Sequence, residues 1–176
     1  MGTNKTSGIP DRSCILKLIT TFVLFSLFLH APANQAASKV NKVAPEIGVS
    51  DTQGKKWTLK KLEKDKVYFI EFWATWCGIC KKIEPTVDAF VKANRGDKFE
   101  YLSVSIDEDL GELRAYLQKK KPAYPVLMDP SSEMAKRWKV EAVPMAFFVK
   151  NGRILWEKKG EFTRAELDDG LKHAKQ

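Results

Sequence analysis

Histidine and cysteine are nearly missing from this chain: its 176 residues hold two histidines and three cysteines. The histidines, His30 and His173, stand far apart, and one close cysteine pair adds too few ligands for a zinc or copper site. No metal is therefore expected. Three cysteines also build no disulfide framework, so the fold has to rest on an apolar core. With 44% hydrophobic residues the chain can bury one ordinary core, and a single folded domain is expected. Internal repeats and low-complexity linkers are missing too, and nothing resembles a nucleic-acid-binding module, so no nucleic-acid partner is expected. The formal charge of +8 singles out no partner, because its lysines are scattered among acids as on a solvated surface.

What is present begins with one apolar run, "LITTFVLFSLFL" at residues 18–29, shorter than the roughly 20 residues a spanning helix needs. Lys5, Arg12 and Lys17 precede it, and the small-residue stretch "HAPANQAAS" follows. That order is a signal peptide with its cleavage region, assigned to residues 1–37. Cleavage is expected after Ala33, with Ala36 and Ala37 as a second choice, and an uncleaved anchor is the weaker reading. Residues 38–176 are then an exported, periplasmic domain. Cys14 lies ahead of the apolar run and is lost with the leader, so the mature chain keeps Cys77 and Cys80 alone.

The mature chain reads as one alternation of strands and helices. Residues 38–44 look like a flexible lead-in. "EIGVSDTQGKKWTL" reads as two short strands about a turn at residues 51–54, followed by a short helix. "VYFIEFW" is apolar on both faces, as a central strand covered by helices should be. A helix is expected from about Cys77, kinked at Pro85. "FEYLSVSID" gives the next strand, "LGELRAYLQKKK" a helix and "YPVLMD" a short strand. Asp129 is expected to cap a helix beginning at Pro130. Asn151-Gly152 between "MAFFVK" and "RILWEK" marks a hairpin. Thr163 and Glu166 form a capping box for the last helix, with Phe162 stapled onto Leu167. The class is α/β with a mixed sheet.

"FWATWCGICKKIEP", followed about sixty residues later by "VPMAFFVKNG", resembles the thioredoxin fold. The extra helix and strand after "FEYLSVSID", and the opening "APEIGVSDTQGKKWTLKKL", are similar to the central αβ insertion and N-terminal β-hairpin of TlpA/ResA-like thiol-disulfide oxidoreductases, within the redoxin or AhpC-TSA-like superfamily. The resemblance implies a three-layer α/β/α thioredoxin fold. It also implies a monomer that exchanges disulfides with protein substrates without a diffusible cofactor, a membrane electron donor that recharges it, and apocytochrome c maturation as one use.

The residues support redox chemistry on their own terms. Cys77 falls at a helix N-terminus, where free N–H groups and the helix dipole favour the thiolate, so it is the attacking sulfur. Cys80, one turn on and deeper, is placed to resolve a mixed disulfide. Gly78 lets a partner chain approach, and Ile79 stands where thioredoxins usually have proline. A peroxidase would want threonine at Ala74, and a permanent disulfide here would close too small a loop to stabilise much. Glu71 interrupts an apolar strand six positions before Cys77, where thioredoxin resemblance puts a buried carboxylate that handles the proton of Cys80. Glu84 reads as surface. Val143-Pro144 is cis by resemblance, and with Met145 and Trp76 it lines the expected substrate groove, while Trp73 is expected in the core. Two rival readings stay open: an oxidant that makes disulfides, and a copper-handling or chaperone module that binds without exchange.

Overall fold

A computed structural model describes residues 37–176 of the chain. The signal-peptide reading lies outside these residues but for Ala37, as do Cys14 and His30. Within them the strands are β1 (Ser38–Val43), β2 (Val49–Asp51), β3 (Lys56–Trp57), β4 (Val67–Trp73), β5 (Phe99–Ser105), β6 (Val126–Met128), β7 (Met145–Lys150) and β8 (Arg153–Lys159). The α-helices are α1 (Gly78–Asn94), α2 (Leu110–Lys120), α3 (Glu133–Arg137) and α4 (Arg164–Lys175), with a 3-10 turn at Leu59–Lys61. The strands form one sheet in the order β1-β8-β7-β4-β5-β6-β2-β3. β4, β5 and β6 run parallel, and the other pairings are antiparallel.

Alternation along β4 separates the two faces of the sheet. Tyr68, Ile70 and Phe72 pack with Met134, Ala135 and Trp138 of the α3 segment on one face. Val67 and Phe69 pack on the other against Ile83, Val87 and Phe90 of α1 and Leu167 and Leu171 of α4. Phe69 sits at the centre of an aromatic cluster, 5.6 Å from Phe90, 5.0 Å from Phe148 and 5.1 Å from Tyr101 between ring centroids. Burying one such ring stabilises the fold by about 1.5–3 kcal/mol. α4 lies so close to the sheet that a Cβ on Gly170 would meet the Phe148 ring at 2.8 Å and Trp156 at 2.9 Å. The capping box of Thr163 and Glu166 starts α4 as expected.

Two elements differ from the sequence reading. Residues 38–43 are not a loose lead-in: they form β1, which adds to the edge of β8. Most of its side chains are exposed, so backbone pairing holds it and its apolar pattern gives no sign of a strand. The helix expected from Pro130 begins at Glu133 instead. A turn closed by the Ser132 N–H donating to the Asp129 carbonyl comes first. Asp129 still caps the helix, its carboxylate accepting from Met134 N–H at 3.1 Å and Ala135 N–H at 2.8 Å. α1 continues as one helix through Pro85.

Candidate active site

β4 delivers the chain to the site and a buried carboxylate fixes the turn that follows. Asp107 is 2% exposed and accepts from Thr75 N–H at 3.0 Å, Thr75 Oγ1–H at 2.6 Å and Ser105 Oγ–H at 2.7 Å. The loop just before α1 is thereby tied to the end of β5. Cys77 is the N-cap of α1, its Sγ accepting from Cys80 N–H at 3.1 Å. Free N–H groups at such an end favour negative charge on the sulfur once it is reduced. Cys77 and Cys80 are joined as a disulfide with Cα atoms 5.3 Å apart.

The other wall comes from the start of β7. The Val143–Pro144 peptide is cis, and the Val143 carbonyl oxygen lies 3.7 Å from Cys77 Sγ. Pro144 is buried, Val143 and Met145 are half-buried, and the Gly160 N–H donates to the Pro144 carbonyl. Around the disulfide, Trp76 is 64% exposed and Ile79 47% exposed, so apolar surface rims the sulfurs, and Gly78 between them is open. Trp73 packs against the small cluster of Ala74, Cys77 and Cys80 at the edge of the core. It is half-buried, donates from Nε1 to Ser103 Oγ at 2.6 Å, and lies tilted against Tyr116 with ring centroids 5.4 Å apart.

Glu71 is 4% exposed, and the hydroxyl of Tyr101 donates to its Oε2 at 2.5 Å. Burial pushes the carboxyl up to about 7, the Tyr101 hydrogen bond opposes the rise, and the charges of Glu84 and Asp88 add to it. Burial also raises Tyr101 well above the ordinary tyrosine range, so it stays a donor. Glu71 and Cys80 line one narrow slot between the sheet, α1 and α2, with about 30 Å³ of free volume, enough for a water molecule. A carboxyl group raised toward neutrality that shares a slot with Cys80 can give or take its proton once the disulfide is reduced.

The sequence reading missed the rest of this slot. Glu84 is not a free surface group: it is half-buried, Tyr116 donates to its Oε1 at 2.6 Å, and Lys120 Nζ lies 2.9 Å from its Oε2. No local signal marks it: Ile83 beside it faces the core, and only the packing of α2 brings Glu84 to the slot. Among the described residues no group of three or more His, Cys, Asp or Glu side chains is placed to hold a metal ion. Nor is any helix among them long and apolar enough to cross a membrane.

Residues 40–157 match the model of the AhpC/TSA family. Thiol-disulfide oxidoreductase ResA of Bacillus cereus is 30% identical over 169 residues, covering 96% of this chain and 97% of that protein. Among solved structures, a DsbF homologue from Corynebacterium diphtheriae is 18% identical with a TM-score of 0.69, covering 82% of this chain and 96% of the other. A thiol:disulfide interchange protein of the thioredoxin family from Chlorobium tepidum is 23% identical with a TM-score of 0.66, covering 79% and 99%. The fold is thus thioredoxin-like, with β2–β3 and α2–β6 as the N-terminal hairpin and central insertion.

Proposed function

Because the chain belongs to the AhpC/TSA family and is a thiol-disulfide oxidoreductase, we propose that it is an exported reductant of protein disulfides. The observation that carries this reading is the Cys77–Cys80 disulfide at the N-terminus of α1, facing the Val143 carbonyl and rimmed by exposed Trp76 and Ile79. In the reduced protein, Cys77 Sγ attacks a partner disulfide, and one partner sulfur leaves as a thiol. Cys80 Sγ then attacks Cys77 Sγ. The Cys77–Cys80 bond forms, the bond from Cys77 to the partner breaks, and the partner's second sulfur leaves with the electron pair and takes a proton from solvent. Glu71 takes the proton of Cys80. The partner chain lies in the groove of Gly78, Ile79, Val143, Pro144 and Met145, pairing with the Val143 backbone as an added strand.

Export is supported by the leader pattern of residues 1–37, which leaves residues 38–176 as the working domain. On this reading the protein is a periplasmic monomer recharged by a membrane electron donor. Its clients are disulfides of exported proteins, the cysteine pair of an apocytochrome c among them, as the resemblance to the TlpA/ResA-like group suggests. Two measurements test the reading. The equilibrium potential of the Cys77–Cys80 couple should lie near or below about −270 mV, and a value near about −120 mV would make the protein an oxidant. Cys80→Ala should accumulate mixed disulfides with the client, whereas Cys77→Ala should show no turnover. A Cys77→Ala protein that still reduces insulin would remove the dithiol from the mechanism.

A further inference from the structure

Glu71 is closed in, but the slot above it opens between α1 and α2 onto a cluster of charge. Glu84 and Lys120 stand at its rim with side chains 25% and 31% exposed. Lys120 reaches from α2 to both acids of α1, 2.9 Å from Glu84 Oε2 and 3.0 Å from Asp88 Oδ2. Tyr116, also on α2, fixes the other oxygen of Glu84, and the Tyr124 hydroxyl donates to Asp88 at 3.2 Å. The groups that face Glu71 are therefore Tyr101 from β5, Cys80, Lys81, Glu84 and Asp88 from α1, Tyr116 and Lys120 from α2, and Tyr124 beyond it. Two carboxylates on α1 press on Glu71 from the same side, and the cation that balances them comes from the inserted helix.

We propose that Lys120 and Glu84 are positioning residues that set the pH window in which Cys80 resolves the mixed disulfide, the inserted helix acting through them on Glu71. This rests on the reading of Glu71 as acceptor of the Cys80 proton. In the resolving step the Cys77–Cys80 bond forms, the partner sulfur leaves with the electron pair, and the Cys80 proton goes to Glu71. Only the ionised form of Glu71 can accept that proton, so any charge that alters its ionisation moves the pH at which the step becomes fast. Losing Lys120 leaves two carboxylates unbalanced and favours protonated Glu71. Losing the charge of Glu84 favours ionised Glu71.

The test follows resolution of a preformed Cys77 mixed disulfide with a small aromatic thiol across pH 5 to 9, in the full-length protein and in Lys120→Met, Glu84→Gln and Glu71→Gln. Lys120→Met should move the midpoint upward and Glu84→Gln downward, each by about half a pH unit, and Lys120→Arg should keep the parent midpoint. Both substitutions break the same ion pair, so a merely structural loosening would move both midpoints the same way, and that result would overturn the proposal. Unmoved midpoints would overturn it too. Thermal melts verify folding, and Lys120→Gln replaces Lys120→Met if that variant does not fold. Glu71→Gln separates the effect of the rim charges from the role of Glu71 as proton acceptor. If it abolishes the midpoint while the rim variants leave theirs in place, only this inference fails. If it keeps the parent profile, the reading of Glu71 fails.

Discussion

Two carboxylates are equally closed to solvent at different places in the sheet and behave in opposite ways. Asp51, at the end of β2 in the N-terminal hairpin, is 3% exposed, and Glu71, in the centre of β4, is 4% exposed. Asp51 accepts from Trp57 Nε1–H at 2.9 Å, Gln53 N–H at 2.9 Å and Lys55 N–H at 3.0 Å. Burial alone would raise its pKa, but these three donors, together with the Lys55 charge, outweigh it and hold the carboxyl below its ordinary value. Glu71 has one protein donor, the Tyr101 hydroxyl, and two carboxylates nearby, so burial wins and the group rises to about 7. Solvent exposure alone does not decide which buried acid keeps its proton. Desolvation and donors decide together: Glu71, deep in the sheet, has one donor and stays reactive, while Asp51, in the shallower hairpin, has three and serves structure.

Asp51→Ala should give the largest effect, a loss of about 4 kcal/mol in denaturant unfolding, because three donors lose an ionised acceptor and the indole N–H is left buried. Glu71→Gln should go the other way at pH 8.5, stabilising the oxidised protein by about 2–3 kcal/mol, since a buried charge is removed. The sign follows from linkage. A carboxyl raised from 4.5 to about 7 on folding contributes stability that is present below pH 4.5 and lost as pH rises through about 7. The gain from Glu71→Gln should therefore shrink toward pH 4.5. For Asp51 the lowered value reverses this: its contribution is present above pH 3.8 and is lost as pH falls through its folded value. Trp57→Phe removes one donor and should cost about 1.5 kcal/mol in the same unfolding measurement, moving Asp51 a step toward the condition of Glu71. The smallest effect is that of Tyr101→Phe, which takes away the one hydrogen bond opposing the rise and should move the titration of Glu71 upward by a few tenths of a pH unit.

The same contrast shows what the chain reveals before it is folded. Glu71 is legible because a single carboxylate interrupts a strand that is otherwise apolar on both faces, and Cys77, Cys80 and Pro144 are legible through their spacing. The Asn151-Gly152 hairpin and the capping box of α4 carry local chemistry that fixes their geometry, with Asn151 at φ 52° and Gly152 at φ 72°. β1 is not legible, because an edge strand held by backbone pairing leaves no apolar alternation to read. Asp129 was recognisable as a cap, but the turn that lets it cap from outside the helix was not. Glu84 hides for a different reason. Ile83 faces the core, the next residue along a helix points about 100° away from it, and only the position of α2 makes that direction part of the slot. Long-range packing of the insertion carries this information, and no local pattern holds it.

Whether Glu71 can hold the Cys80 proton is read by a carbon-13 NMR titration of its side-chain carboxyl in the oxidised protein, assigned by comparison with Glu71→Gln. A midpoint of about 7 is expected, which would leave the group divided between its two forms near neutral pH and able to exchange a proton with Cys80. A midpoint near 4.5 would contradict the claim, because Glu71 would then be an ordinary ionised carboxylate and the slot would have no part in the proton chemistry of the disulfide.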